Sequence, residues 1–195
     1  MEIRKNITET NVFNKNELPD ASSKFQNLLP ISSDEFIKIL DDWSIKYKYF
    51  EHIPLRTVKA SKTVQDIFLN AEEGGGHIKN LFLRDHKKRN ILIIAHQDTL
   101  IDLKNLQSTL GVGRLSFGSP ERLMEHLGVF PGAVTPFSMI NDVQKSVKLF
   151  IDKSLKDFKK IYAHPLVNDR TLELSFESLE IFFKKINVIP QWIKL

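Results

Sequence analysis

The chain of 195 residues contains no cysteine. This absence excludes disulfides, thiolate catalysis and zinc sites built on cysteine. Glycine and proline are sparse, with eight of each, and neither an internal repeat nor a low-complexity tract is present. The apolar fraction of 42% and the charged fraction of 27% are typical of a globular domain with its own core.

Long apolar runs are absent too, so no segment is expected to cross a bilayer, and no membrane partner is expected. The first six residues mix charged and polar side chains without the apolar stretch of a secretory signal, which predicts a cytoplasmic location. The formal net charge of +4 is a mild bias that permits a polyanionic partner without requiring one.

Apolar spacing predicts a mixed α/β domain of strands and helices in irregular alternation, unlike a doubly wound sheet. Ser32 and Glu35 form a capping box for the first helix, and Ser119 followed by Pro120 caps another. The predicted helices cover residues 33–47, 62–71, 102–110, 120–127 and 175–186. The predicted strands cover residues 49–58, 78–83, 91–95, 114–117, 147–151, 160–163 and 171–174. Residues 1–32 are predicted to be a partly ordered N-terminal extension, and residues 33–195 the domain.

Three glycines, residues 74–76, precede Lys79 and Asn80 on a predicted strand. A cation beside an amide on a rigid support, next to a flexible turn, is suited to holding a phosphate or a ribose. The pattern is not that of a phosphate-binding loop, because no Gly-Lys-Ser/Thr opens a helix there. Taken alone, Lys79 is more often a solvated surface lysine.

Other catalytic devices have weaker signals. The six histidines show no metal-ligand spacing, so neither a metal nor another cofactor is predicted. Gly118-Ser119-Pro120 is a helix cap and not the nucleophile elbow of a serine hydrolase, although the Ser119 hydroxyl remains available to a ligand. His164, before Pro165, follows a strand end where sites are common, but a histidine in such a turn is more often structural.

Several segments together resemble the YbaK/ProX-type aminoacyl-tRNA deacylases, and most closely the freestanding prolyl-tRNA editing proteins that clear alanine from tRNA(Pro). The matching segments are residues 76–85, 112–119, 127–137, 141–142 and 164–168 with Thr171, in the family's order and spacing. The resemblance covers residues 33–195. Two departures are Ile78, where relatives often have threonine or a small residue, and the charged pair Asp169 and Arg170, expected to alter contacts at the pocket rim.

The resemblance implies the editing-domain fold, a mixed and mostly antiparallel sheet curled toward a barrel with surrounding helices. It implies a hydrolase that removes alanine from mischarged tRNA(Pro) with a positioned water and without a cofactor. Lys79 and Asn80 would be catalytic. The residues that would bind the terminal adenosine and the aminoacyl group are His164, Gly132, Thr135, Pro136, Ser119 and Asn168.

The resemblance leaves substrate and partners open. The same fold could act on another mischarged tRNA, carrying cysteine, serine or threonine, or the chain could be a non-catalytic module that binds tRNA or a synthetase. Mischarged tRNA(Pro) is the expected partner, with prolyl-tRNA synthetase or other translation factors as candidates. The Lys87-Lys88-Arg89 turn is either an acceptor-stem contact or, with better odds, a solvated turn.

Overall fold

The computed structural model of the chain describes residues 19–55, 57, 59 and 62–195. Its four α-helices in that part of the chain are α1 (Ser33–Asp42), α2 (Leu103–Leu110), α3 (Pro120–Leu127) and α4 (Phe176–Lys185). Short 3-10 helices cover Ser23–Leu28, Lys62–Ile67, Pro136–Asn141 and Lys153–Asp157. None of the described helices is long and apolar enough to span a bilayer.

One sheet of eight strands organises the domain. The strands are β1 (Lys48–Glu51), β2 (Gly75–Asp85), β3 (Asn90–His96), β4 (Leu115–Phe117), β5 (Val147–Asp152), β6 (Lys160–Ala163), β7 (Arg170–Leu174) and β8 (Gln191–Ile193). Their order is β1-β7-β6-β2-β3-β5-β8, with β4 beside β2. Four of these seven pairings are antiparallel and three are parallel. The predicted mixed α/β class is therefore confirmed, as an open sheet that ends at β1 and β8.

Strand β2 lies at the centre of the sheet, with β6, β7 and β1 on one side and β3, β5 and β8 on the other. It pairs with β3 from Ile78 to Arg84. On its other edge, Gly75 to His77 pair with β6 and Leu83 to Asp85 pair with β4. Between these two pairings the sheet has a gap at residues 78–82, where the described strands pair with β2 on the β3 side alone. Lys79 and Asn80 lie at this gap.

Local signals fix the starts of α1 and α3 and the end of α2 as predicted. The Ser32 hydroxyl accepts from the Glu35 N–H while the Glu35 carboxylate accepts from the Ser32 N–H, which completes the capping box of α1. Ser119 caps α3 with Pro120 at its first position. Gly111 ends α2 in the left-handed conformation at a φ of 61°. These contacts depend on neighbouring residues alone, which is why spacing in the sequence was sufficient.

Two apolar clusters hold the helices on opposite faces of the sheet. The larger contains alternate residues of β3, Leu92 and Ile94, with Phe36 of α1 and Phe182 of α4. The smaller contains the intervening residues Ile91 and Ile93 with Leu106 of α2. Because successive strand residues face opposite sides of the sheet, each central strand contributes side chains to both clusters.

Several predicted boundaries were wrong. Helix α1 ends at Asp42, short of the predicted residue 47, because Ser44 takes a positive φ of 55°; Trp43 and Tyr47 pack on the core from the following loop. Strand β1 stops at Glu51, before Pro54, which has no N–H to donate. The end of the predicted strand, residues 56 and 58, lies outside the described residues. Residues 62–67 form a 3-10 helix where an α-helix over 62–71 was predicted.

The predicted boundary after residue 32 stays a prediction. Residues 1–18 of the predicted extension lie outside the described residues. Residues 19–32 pack against the domain, with Ala21 and Leu29 in the larger apolar cluster. The part of the extension that the structure describes is therefore joined to the same core as the sheet.

Candidate functional site

Lys79 points its ammonium toward the turn after β3. Its Nζ donates to the Thr99 carbonyl oxygen. Burial lowers the pKa of Lys79, and the nearby Asp98 carboxylate partly opposes this effect. Asp98 in turn pairs with Lys62 at 2.7 Å. Since an ammonium has three N–H donors, the contact with Thr99 leaves donors for an anionic or carbonyl group.

Asn80 projects to the opposite face of β2. Its Nδ2 donates to the Val134 carbonyl oxygen at 2.8 Å, which ties the loop at residues 132–136 to the strand. Its Oδ1 is buried without a hydrogen-bond partner among the described residues. Buried polar atoms are seldom left unpaired, so this oxygen is an acceptor suited to a donor group of a ligand. Consecutive strand residues cannot share a face, and the side chains of Lys79 and Asn80 therefore lie on opposite faces of β2.

The loop predicted to bind the adenosine is held by its own contacts. Gly132 has a φ of 94°, which favours glycine. The Thr135 hydroxyl accepts from the Phe137 N–H, its carbonyl accepts from the Ser138 hydroxyl at 2.6 Å, and Thr135 and Pro136 are buried. The structure therefore gives Thr135 a role in shaping the loop, and the Val134 carbonyl, which sequence reasoning missed, is the group that meets Asn80.

His164 lines an open pocket beside the gap in β2. Ile78, from the strand that carries Lys79, lines the same pocket, with its side chain on the face of the larger apolar cluster. Ile78 therefore faces away from Lys79, as predicted for adjacent strand positions. The structure thus brings His164 next to β2, although the two segments are more than eighty residues apart in the sequence.

The pocket has an aromatic wall that sequence reasoning missed. The rings of His77 and Tyr162 stack with centroids 4.5 Å apart and an interplanar angle of 15°. Nε2 of His77 donates to the Leu69 carbonyl oxygen at 2.9 Å, because a carbonyl can only accept. Burial raises the pKa of Tyr162 to about 12, so its hydroxyl stays protonated and donates to Glu173. The register of β2 with β6, which pairs Gly76 with Ile161, places these rings together, and no short motif encodes it.

The protonation of His164 follows from its surroundings. Burial lowers the pKa of its ring below the ordinary 6.5, so the imidazole is neutral at pH 7. Its Nδ1 lies 2.8 Å from the Arg170 carbonyl oxygen, which accepts, so the ring proton is on Nδ1. Nε2 is then an acceptor, suited to a ribose hydroxyl or a water.

This protonation predicts a pH dependence. As pH falls below 6.5 toward the lowered pKa, protonation of Nε2 removes the acceptor, and kcat is expected to fall. The unfolded state binds the proton more readily than the folded state, so the free energy of unfolding should decline over the same range. A pH–kcat profile with unfolding curves checks both. The residual activity of His164→Gln should lack this acidic limb; an identical limb in that variant would assign the titration to His77 or His96, whose pKa values burial also lowers.

Two further predicted ligand residues make hydrogen bonds within the protein, and their binding roles stay predictions. The Ser119 hydroxyl accepts from the Arg122 N–H at 3.3 Å as the cap of α3. Asn168 is fully buried; its Nδ2 donates to the Asp20 carbonyl oxygen at 2.9 Å, and its Oδ1 has no hydrogen-bond partner among the described residues. In the part of the chain that the structure describes, no three His, Cys, Asp or Glu side chains are placed to hold a metal ion.

A cationic groove lies at the far end of β2. Its lining includes Arg84, His86, Lys88 and Arg114, with Ser116. The carboxylate of Asp85, at the floor, is neutralised by Arg89 at 2.5 Å. Phe117, next along β4, has 64% of its surface exposed. Cations around a concave surface beside an exposed aromatic ring can accept phosphates and a stacked base.

Comparisons with known proteins agree with this geometry. The model of the aminoacyl-tRNA editing domain family matches residues 57–182. The chain is 38% identical to the prolyl-tRNA editing protein ProX of Acetoanaerobium sticklandii over 146 residues, which are 74% of this chain and 86% of that one. It is 39% identical to the mouse prolyl-tRNA synthetase associated domain-containing protein 1 over 115 residues, 56% of this chain and 68% of that one.

A solved structure supports the fold. The crystal structure of a putative trans-editing enzyme for prolyl tRNA synthetase superposes with a TM-score of 0.62 at 18% identity, covering 84% of this chain and 97% of that one. The family match spans β2, the His164 segment and the residues that line the pocket, apart from Leu55. The chain therefore belongs to the aminoacyl-tRNA editing domain family, and it is an aminoacyl-tRNA deacylase.

Proposed function

We propose that this protein edits in trans the errors of prolyl-tRNA synthetase by hydrolysing alanyl-tRNA(Pro). The names of its relatives refer to prolyl-tRNA editing and to prolyl-tRNA synthetase, which supports mischarged tRNA(Pro) as the substrate class. The observation that carries the proposal is the pocket in which the neutral His164 lies beside β2, the strand that also carries Lys79. The cytoplasm, where tRNA is charged and used, is the proposed location, and prolyl-tRNA synthetase is a proposed partner.

The proposed mechanism requires neither a nucleophilic side chain nor a cofactor. An aminoacyl ester is activated, so a water attacks once the ester is fixed and the charge on its carbonyl oxygen is stabilised. Lys79 would supply that charge stabilisation. Nε2 of His164 would accept from the free ribose hydroxyl, and Oδ1 of Asn80 would accept from the adenosine or the amino group. His77 and Tyr162 would limit the size of the aminoacyl side chain.

A panel of charged tRNAs tests the proposal. The purified full chain is incubated with tRNA(Pro) carrying alanine, cysteine, serine, threonine or proline, and the release of each amino acid is timed. We expect alanine to be released fastest and proline to remain attached. Faster release of cysteine, serine or threonine would reassign the substrate, and release of none would favour the non-catalytic binding module.

The same assay tests the cationic groove as the proposed contact for the tRNA backbone. Arg84→Glu with Arg114→Glu should raise KM for alanyl-tRNA(Pro) and flatten its dependence on salt, because fewer counterions are released on binding. Lys184→Glu with Lys185→Glu, at the end of α4, is the matched control. An unchanged KM in the groove variant would contradict a tRNA contact there. The Lys87-Lys88-Arg89 turn and its neighbours would then be interpreted as a solvated surface.

A further inference from the structure

Residues 20–34, here called the N-terminal strap, lie outside the part of the chain that the family model matches. They nevertheless contact the loop that carries His164, here called the His164 loop (residues 164–170). The three residues at the end of this loop, Asn168, Asp169 and Arg170, each bind a different residue of the strap.

The Asp169 carboxylate is the centre of this contact. It accepts from the Ser23 N–H, with distances of 2.9 and 3.0 Å to its two oxygens, and from the Ser23 hydroxyl at 2.7 Å. Ser23 therefore directs both of its donors to one side chain of the loop. Hydrogen bonds to a charged acceptor are stronger than those between neutral groups, so this contact is a specific attachment.

Two flanking contacts extend the attachment. Asn168 donates from its main-chain N–H to the Ala21 carbonyl oxygen at 2.9 Å and from Nδ2 to the Asp20 carbonyl oxygen at 2.9 Å. Nη1 of Arg170 lies 2.6 Å from Oδ1 of Asp34. The hydrogen bond from Arg170 is the main cause of the lowered pKa of Asp34.

The His164 loop depends on support from outside. Leu166 is a non-glycine residue held at a φ of 68°, a conformation that persists only where its surroundings impose it. On one side the N–H groups of His52 and Leu55 donate to the carbonyl oxygens of Asp169 and Asn168. The strap contacts the other side. The carbonyl of Arg170, which accepts from Nδ1 of His164, belongs to this clamped segment.

We propose that Ser23 and Asp34 are positioning residues, which act through Asp169 and Arg170 to fix the orientation and the Nδ1–H tautomer of His164. This inference rests on the proposed function for its effect on turnover, while its effect on the ring of His164 is independent of the substrate. The charged pair Asp169 and Arg170, a departure from the pattern that the sequence resembles, then has a physical role as the attachment site of the strap.

Ser23→Pro is the decisive substitution. Proline removes both the N–H and the hydroxyl that bind Asp169 and leaves the Asp169 charge in place. Ser23 is the first residue of its 3-10 helix, a position that suits proline, and Ser22 has a φ of −78° and a ψ of 168°, which a residue before proline adopts. Ser23→Ala removes the hydroxyl alone, and Asn27→Ala changes an exposed residue of the same helix as a control.

Two readouts are measured in the full chain at a temperature well below unfolding. We expect Ser23→Pro to lower kcat for alanyl-tRNA(Pro) about tenfold, with KM little changed, because the acceptor is displaced while the tRNA contacts remain. Long-range ¹H–¹⁵N spectra, with His164 assigned from His164→Gln, should show loss of the single Nδ1–H tautomer. Ser23→Ala should give smaller changes of the same kind, and Asn27→Ala none.

An unchanged His164 spectrum in both Ser23 variants would overturn the proposal, whether or not kcat falls. A changed spectrum with unchanged kcat would overturn the link between the strap and turnover. If the wild-type chain released no amino acid from any tRNA, the proposed function would fail, and the spectra of Ser23→Pro and Ser23→Ala would still decide whether the strap positions the ring.

Discussion

Replacing Lys79 with alanine is expected to lower kcat for deacylation by about 10²–10³-fold, the usual cost of losing one group that stabilises a developing oxyanion. The ammonium is partly buried beside β3, where its interaction with charge is less screened than in water. The hydrogen bond to the Thr99 carbonyl oxygen fixes the position of the ammonium and leaves its other N–H donors for a ligand. Single-turnover hydrolysis of alanyl-tRNA(Pro) measures the chemical step directly.

Two variants make the Lys79 result interpretable. Lys79→Arg keeps the charge and should retain part of the activity, although its planar donors differ in geometry. Lys148→Ala removes an exposed lysine of β5 and should leave kcat unchanged. Hydrolysis by Lys79→Ala at the wild-type rate would remove the ammonium from the mechanism and favour a binding module. A loss confined to KM would make Lys79 an anchor for the tRNA end.

The second large effect concerns the glycines before Lys79. Gly75→Ala is expected to destabilise the fold by at least about 3 kcal/mol, at the upper end of the cost of overpacking. A Cβ at this position would lie 1.8 Å from the Leu69 carbonyl oxygen and 2.6 Å from its carbon, both main-chain atoms. Strand β2 would have to move away from Leu69, whose carbonyl oxygen also accepts the hydrogen bond from His77. Urea unfolding measures the change in free energy.

Gly111→Ala is the matched control for this substitution. A Cβ at Gly111 would meet no atom within 4 Å, and the cost there is about 1 kcal/mol for a left-handed φ of 61°. The difference between the two changes in the free energy of unfolding gives the cost of the steric contact with Leu69. Equal destabilisation by Gly75→Ala and Gly111→Ala would show that Leu69 and β2 can move apart at little cost in free energy.

The sequence predicted the helix caps and the strand pair around the turn at residues 85–90, because both depend on residues close in the chain. Strand β8 was not predicted. It has three residues, and it exists through parallel pairing with β5, a contact that no local pattern reports. Trp43 and Tyr47 stand at helical spacing in the sequence, but they pack on the core from a loop. Apolar spacing therefore predicted an end of α1 that is too late in the chain.

The site was predictable in part, and for a different reason. The resemblance singled out Lys79, Asn80 and His164, whose roles stay predictions; the structure places Lys79 and Asn80 at the gap in β2, and it brings their neighbour Ile78 into one pocket with His164. Ser119 caps α3, as its place before Pro120 indicated, but residue types could not reveal that Nδ2 of Asn168 donates to the Asp20 carbonyl oxygen. Nor could they reveal the stack of His77 on Tyr162, which depends on the register between β2 and β6.

The gap along β2 leaves main-chain polar groups that face an opening among the described strands. The Phe82 carbonyl oxygen accepts from the Gly118 N–H at 3.0 Å across that edge. Residues two apart in an antiparallel strand turn their peptide groups to the same side, so the peptide N–H and C=O of Asn80 face the opening. Peptide groups persist through any exchange of side chains. Recognition of a polar ligand through this opening would therefore tolerate sequence drift around the pocket, while the aminoacyl preference set by the side chains is free to change.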